Sequence, residues 1–454
     1  MTILERPIVL TTFLGYDPRH PGHFGLGSGV LEDTLEPKAV RGMHDLFGPE
    51  MDRWTQVENR LKKIFADFGY AEIRTPALEH LEVFSHTVGD DTDIVEKQMY
   101  QIQQAEGSEK LVLRPEGTAA FMRAVIEHQL HRTGKPQRYF YYMSMFRHER
   151  PQKGRLRQFH QFGAEIINDG TAEADAEIIA LLHHIYGTFG VTEYEVKINS
   201  VGDGTCRPIY KEKLKAFLLP QLSSLCELCQ KRFERSPLRV LDCKRESCQA
   251  IVKNAPKITE SLCDPCRDHH ASLKRRLTSL GIPFEEDPSI VRGLDYYSRT
   301  AFEFTSNLLG AQSALVGGGR YDGLSTRFGE ASFPAVGFGL GVERLMLVLE
   351  QKQSLKDETR TPSFYFAALG DAAFETLFPL SFRLKRKGIA VEMGYEPKGL
   401  KNLLKQADRS GARYTLILGD TELKDGKAPL KQMKDGTQEL IELKQLESEL
   451  TRRV

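Results

Sequence analysis

Between residues 138 and 167 two stretches rich in apolar and aromatic side chains, "RYFYYMSMFRHE" and "QFHQFGAEII", are joined by the polar loop "RPQKGRLR". Such runs on either side of a polar connector predict two strands and a flexible hairpin loop. Side chains on a strand alternate between faces, so Arg147 and Glu149 share one face, as do Phe159, Gln161, Gly163 and Glu165 on the returning strand. A face of Arg, Glu and Gln makes a poor core, because an unpaired buried polar group costs roughly 1–3 kcal/mol. Residues 145–166 also set five Lys or Arg side chains against two carboxylates. Either this is the solvated outer face of an antiparallel hairpin, or something polar and anionic fills it.

The charge must act locally. The chain has 454 residues, about three domains by length, and its 62 basic residues are matched by 62 acidic ones, which excludes a uniformly basic coat for nucleic acid. No stretch approaches the roughly 20 apolar residues of a membrane span, and "IVLTTFLG" near the start lacks a basic leader and a cleavage-site pattern, so the expectation is a cytoplasmic protein without membrane contact.

Residues 1 to 38, rich in Gly, Pro and His, predict a loosely ordered extension. From Pro49 to Gly69 the positions Met51, Trp54, Val57, Leu61, Ile64, Phe65 and Phe68 draw one apolar helical stripe, with Gly69 suited to the C-terminal cap. "YAEIRTPALEH" reads as extended, broken at Pro76, and "LRPEGT" leads into a helix, "TAAFMRAVIEHQLH". A further helix, "EADAEIIALLHHIYGTFG", precedes a charged, cysteine-rich, mostly helical stretch. Beyond it, "SIVRGLDYYSRTAFEFTS", "SALVGGGRYDGL" and "PAVGFGLGVERLMLVLEQ" predict two strands, a glycine turn, and a strand feeding a helix. After the linker "KQSLKDETRTP" the tail has its own strand–helix rhythm and predicts a separate α/β domain.

Several of these segments resemble a known family. "EIRTPALE" with its preceding helix, "FRHERPQKGRLRQFHQFGAEI" and "GFGLGVERL" resemble the three signature motifs of class II aminoacyl-tRNA synthetases. "LRPEGT", "VRGLDYY" and "GGGRYDGL" narrow the resemblance to the histidyl-tRNA synthetases, from about residue 38 to the C-terminus. The fold it implies is α+β. A catalytic core around an antiparallel sheet would occupy 39 to 204 and 286 to 350, interrupted by a helical insertion at 205 to 285; a linker at 351 to 361 would lead to an anticodon-binding domain at 362 to 454.

The implied activity is ATP-dependent activation of L-histidine and its transfer to the 3′ end of the cognate tRNA. The obstacle is repulsion, since a carboxylate must attack the α-phosphorus of ATP, so catalysis rests on positioning and fixed positive charge. By resemblance Arg147 holds the α-phosphate, Glu149 accepts from the adenine amino group and Phe159 stacks on the base. Arg344, in the first turn after "GFGLG", is placed on the γ-phosphate, where a helix N-terminus also favours anions. Arg292 of "VRGLDYY" lies by the α-phosphate and the substrate carboxylate, a role for which a guanidinium fork is suited. Magnesium is expected with ATP.

For the amino acid, the resemblance puts Glu165 on one imidazole nitrogen and Tyr297 on the other, with Tyr296 lining the pocket. Glu116, Thr118 and Gln161 hold the α-amino group, although Thr118 could equally serve as a helix N-cap. Such a polar site rejects other amino acids without an editing domain. Arg150, Lys153, Arg155 and Arg157 are placed to touch the tRNA acceptor end, and the family assembles as homodimers through its first motif.

Six of the seven cysteines fall between residues 226 and 266. Cys226-x2-Cys229 and Cys263-x2-Cys266 have the two-pair spacing of a structural zinc site, with Cys243 and Cys248 as substitutes and Cys206 left unpaired; free thiols are the alternative. Two other functions share parts of the pattern. One is the histidine-sensing regulatory subunit of ATP phosphoribosyltransferase, which typically lacks the anticodon domain; the other is a class II synthetase for a different amino acid.

Overall fold

Residues Gln137–Phe146 and Gln158–Ile167 pair antiparallel over their whole length, Gln137 opposite Ile167 and Phe146 opposite Gln158. Phe140, Phe162, Ala164 and Ile166 enter the main hydrophobic core, whereas Tyr141, Met143, Met145 and Phe159 pack together on the opposite face. The strand ends at Phe146, so Arg147 and Glu149 stand just beyond it. Pairing runs one step further, through Arg147 N–H to Arg157 O at 2.8 Å. The connecting loop is closed on itself by a bridge between Gln152 and Arg155, around Gly154 at φ +72°.

The computed structural model describes residues 37–88, 98–103, 109–241, 243, 245–290, 296–310, 314–355, 361–394 and 399–454. Nearly all of the expected N-terminal extension lies outside these, as does Arg292. Arg41–Val454 form one compact unit; residues 37–40, the described part of the other, carry no helix or strand.

The chain runs α1 (Gly48–Asp67), β1 (Ala71–Glu72), β2 (Leu78–His80), α2 (Leu81–Val88), β3 (Tyr100–Gln101), β4 (Leu111–Leu113), α3 (Thr118–Glu127), β5 (Gln137–Phe146), β6 (Gln158–Ile167), α4 (Ala172–Thr188) and β7 (Glu195–Ser200). The insertion follows with α5 (Cys206–Leu218), α6 (Glu227–Arg235), α7 (Glu246–Val252) and α8 (Asp264–Ser279). Then come β8 (Glu285–Glu286), β9 (Ser298–Thr305), β10 (Ala314–Arg320), β11 (Ala335–Gly341) and α9 (Val342–Gln351). Eight strands make one sheet in the order β1-β5-β6-β11-β10-β9-β7-β8, antiparallel except where β1 and β8 add at the edges.

Helices α1, α4, α8 and α9 cover one face of this sheet. The predicted stripe of α1 supplies Trp54, Val57, Leu61, Ile64 and Phe65 to that core, with Phe65 stacked on Phe140 and Phe162 at centroid distances of 4.8 and 5.7 Å. Gly69 at φ +79° follows the end of α1, as expected of a C-terminal cap.

The expected glycine turn comes later than the glycine run: Gly317, Gly318 and Gly319 lie within β10, and the chain turns at residues 322–324, which include Gly323. The reason is close approach. A Cβ on Gly318 would sit 2.2 Å from Gly337 O and 2.5 Å from the Phe302 ring.

The tail forms a second sheet, in the order β13-β12-β14-β15-β16, from β12 (Phe364–Ala368), β13 (Val391–Met393), β14 (Tyr414–Leu418), β15 (Lys427–Gln432) and β16 (Gln438–Glu442). With α10 (Asp371–Arg386), α11 (Leu400–Ser410), α12 (Asp420–Asp425) and α13 (Leu446–Arg452) it encloses a core of its own around Phe364, Phe366, Leu377 and Leu416.

Candidate active site

The other face of the large sheet, covered in part by Phe121, Met122 and Val125 of α3, holds a cavity of about 440 Å³. Strand parity builds its floor. On β11, Val336, Phe338 and Leu340 go to the helical core, which leaves Gly337, Gly339 and Gly341 on the cavity side. Two of these glycines make room for acid and amide: a Cβ on Gly337 would lie 1.6 Å from Glu165 Oε2, and one on Gly339 would lie 2.0 Å from Gln161 Nε2. The alternating "GFGLG" is therefore a strand whose open face admits neighbouring polar side chains.

Arg147 and Arg344 reach the cavity from separate parts of the chain. The Arg147 guanidinium donates from Nε to Pro115 O at 2.8 Å and lies over the Phe159 ring, 5.1 Å from its centroid. One face of Phe159 is thereby taken. Arg344, in the first turn of α9, donates from Nη1 to Ala314 O and from Nε to Gly154 O at 3.4 Å. Burial lowers the pKa of both arginines, and Arg155 beside Arg344 lowers the latter further. Cations held together in this way favour an anionic occupant.

Glu116, Glu149, Gln161, Tyr296, Tyr297 and Thr118 also line the cavity. Glu149 faces Arg155 at 3.6 Å. Glu116 is the residue that caps α3, accepting from Thr118 N–H at 2.8 Å and Ala119 N–H at 2.7 Å, so the capping role considered for Thr118 falls to its neighbour. Burial raises the pKa of Glu116 against those two donors. The Thr118 hydroxyl instead donates to Glu165 Oε1 at 2.9 Å. Gln161 Oε1 is buried without a hydrogen-bond partner, an acceptor waiting for a donor inside the cavity wall.

Glu165 sits one layer behind this wall and is fully buried. Its second oxygen accepts from the Tyr321 hydroxyl. Desolvation pushes its pKa up to about 8, with the Glu116 charge adding to the rise. Tyr296 packs edge-on to Tyr321 at 5.7 Å and against Tyr297 at 4.8 Å, which links Glu165's hydroxyl partner to the cavity wall. The sequence does not single out Tyr321, because it follows a glycine run that reads as a turn. The sign that it mattered was its place in "GGGRYDGL", at the end of a strand next to that of Glu165's partner β11.

The loop cations separate. Arg155 lines the cavity, while Lys153 lines an adjoining hollow of about 370 Å³ that Arg344 also reaches. Arg150 is exposed. Arg157 holds the loop, donating from Nε to Glu149 O at 3.2 Å and through its N–H to Gly42 O at 2.8 Å. Two further cavity residues had no sequence signal: Glu303 of β9, and Arg239, which comes from the insertion.

The cysteines group differently from their spacing. Cys226 and Cys229 lie with Cys243 and Cys248, whereas Cys263 and Cys266 lie with Cys206 and Asp203. The two C-x-x-C pairs do not share one site, and Cys206 is not apart from the others. Each pair opens a different helix, α6 or α8, and meets the neighbours that helix packs against.

An antiparallel sheet with helices on one face and a cavity on the other, gripped by one arginine past a hairpin strand and a second in a helix's first turn, defines the catalytic fold of a class II aminoacyl-tRNA synthetase. Comparison with known proteins narrows this. The family model for histidyl-tRNA synthetase matches residues 42–345, and that for an anticodon-binding domain matches 365–453. The histidine–tRNA ligase of Anaeromyxobacter sp. strain K is 47% identical over 91% of this chain and 99% of its own, and that of Halothermothrix orenii is 43% identical over 92% and 100%. The crystal structure of apo histidyl-tRNA synthetase from S. aureus superposes with a TM-score of 0.78 at 36% identity, covering 91% of this chain and 99% of that one. The chain belongs to the histidyl-tRNA synthetase family, enzymes that ligate histidine to tRNA.

Proposed function

We propose that the cavity performs both half-reactions of histidine ligation with the residues that line it. In the first, a carboxylate oxygen of histidine attacks the α-phosphorus of ATP, the bond to the β-phosphate breaks, and histidyl-adenylate and pyrophosphate result. In the second, a ribose hydroxyl at the tRNA 3′ end attacks the acyl carbon and AMP leaves. Arg147 stabilises the α-phosphate, with Arg292 beside it on the substrate carboxylate by the family pattern, and Arg344 takes the γ-phosphate. Adenine stacks on the face of Phe159 that Arg147 leaves open, and Glu149 accepts from its amino group. A magnesium ion carried by ATP would meet Glu303 in the cavity wall, where it would screen phosphate charge.

The α-ammonium donates to Gln161 Oε1 and to the Glu116 and Thr118 oxygens. The imidazole lies toward Glu165 and the Tyr297 hydroxyl, with Tyr296 at its side. The single observation that carries this reading is the buried, unpartnered Gln161 Oε1 in the same cavity as Arg147 and Arg344. It gives an amino-group acceptor within a molecule's length of a phosphate site.

Arg150, Lys153, Arg155 and Arg157 then face the acceptor end of tRNA, and the tail reads the anticodon. Assembly as a homodimer and a cytoplasmic setting belong to the same reading. No described helix is long and apolar enough to cross a membrane.

The test is histidine-dependent exchange of pyrophosphate into ATP. Arg292→Ala is expected to abolish exchange with folding kept, and Arg344→Ala to lower it by about 10²–10³-fold. Glu165→Ala is expected to raise KM for histidine far more than KM for ATP, and equal effects on both would overturn the imidazole assignment. Exchange driven by another amino acid, or none at all, would point instead to a different class II enzyme or to a histidine sensor.

A further inference from the structure

The two cysteine clusters of the insertion are built alike. In each, a Leu-Cys-x-x-Cys segment opens a helix: Cys226 is the N-cap of α6 and Cys263 that of α8, with φ −66°, ψ 155° and φ −67°, ψ 161°. Cys226 and Cys229 meet Cys243 and, from α7, Cys248; Cys263 and Cys266 meet Asp203 and Cys206, the first residue of α5. Within each cluster one ligand atom per residue lies within 4.8 Å of every other.

Spacing distinguishes the alternatives. Sulfurs held about 2.3 Å from a tetrahedral zinc stand roughly 3.8 Å from one another, whereas a disulfide needs about 2.05 Å. Cys226 Sγ and Cys243 Sγ are 3.9 Å apart, and Cys263 Sγ is 3.7 and 3.8 Å from the two Asp203 oxygens. Backbone donors already point at the ligand atoms. Cys226 N–H donates to Cys248 Sγ at 3.3 Å and Cys263 N–H to Cys206 Sγ at 3.1 Å. Asp203 Oδ1 accepts from the N–H groups of Thr205 and Cys206 at 2.9 and 3.1 Å. Such donors favour thiolate and carboxylate, the forms that bind metal, and fix their orientation. The insertion also needs staples, since five of the residues in its own small core are cysteines.

We propose that the insertion binds two zinc ions, one on Cys226, Cys229, Cys243 and Cys248 and the other on Asp203, Cys206, Cys263 and Cys266. Four protein ligands at each leave no position open for a substrate, so both ions are structural. The first fixes the chain four residues beyond Arg239, and so braces the part of the insertion that reaches the catalytic cavity. This inference does not depend on the roles proposed for the cavity residues.

The full chain, produced in zinc-supplemented medium and purified without chelator, is expected to carry two zinc ions by plasma mass spectrometry. Cys248→Ser and Cys206→Ser are each expected to leave one ion, and the double variant none. Cobalt(II) exchanged into the unaltered protein supplies a reading that does not depend on a variant folding: thiolate-to-cobalt charge-transfer bands and tetrahedral d–d bands are expected at two equivalents. One equivalent or fewer in the unaltered protein, or a single variant that folds and loses both ions or neither, would overturn the assignment of two independent sites.

Discussion

A carboxyl sealed behind the cavity wall ionises only against the cost of leaving water, and for Glu165 this lifts the pKa from its ordinary 4.5 to about 8. The unfolded chain releases that proton near 4.5, so between the two values the folded state binds the extra proton. Stability from this group is therefore complete below pH 4.5 and is lost as pH rises toward 8, at up to about 1.4 kcal/mol per pH unit. Glu165→Gln removes the ionisation while keeping the shape. Urea unfolding of the ligand-free protein between pH 5 and 8 is expected to show a flatter decline for the variant, and an unchanged slope would show that Glu165 does not titrate there. Strand parity made Glu165 legible in the sequence, because Phe159, Gln161 and Glu165 alternate with core residues. Its hydroxyl partner Tyr321 was not legible: 156 residues separate the two, and only the sheet order brings them together.

At the scale of elements, the hairpin, α1, α9 and the tail were all legible, since their apolar positions follow the periods of strand and helix. The glycine run of β10 reads as a turn because the same residue serves turns and close strand approach, and only the Phe302 ring and the Gly337 carbonyl, which crowd Gly318, decide between them. The insertion was legible as helical, yet not as a wall of the active site. Arg239 enters the cavity from the short 3-10 turn Pro237–Val240, between two of the cysteine-bearing elements. Positive charge at a site of phosphate chemistry acts through proximity, so the element that carries it matters as much as the residue. Arg239→Ala is expected to lower kcat/KM for ATP by about tenfold in pyrophosphate exchange with the circular dichroism spectrum unchanged. An unaltered kcat/KM would make Arg239 a surface residue that only skirts the cavity.

For the whole molecule, a chain with 62 basic and 62 acidic residues can hold polyanions only by arranging its charge, not by its sum. Arg147, Arg155, Arg239 and Arg344 gather around one cavity, while the tail keeps a core of its own and none of its described residues lines that cavity. Activation of histidine and recognition of tRNA should therefore separate on truncation. A chain ending at Thr361 retains every described element around the cavity and is expected to keep histidine-dependent pyrophosphate exchange within a few-fold. Charging of tRNA, which draws on surface far from the reacting atoms, is expected to fall by orders of magnitude in kcat/KM, because that remote binding no longer helps to hold the acceptor end in place. If the shortened chain stays folded but loses exchange, the tail supports the catalytic sheet directly. If it charges tRNA at the full rate, recognition rests on the acceptor end and the loop of Arg150, Lys153 and Arg155 alone.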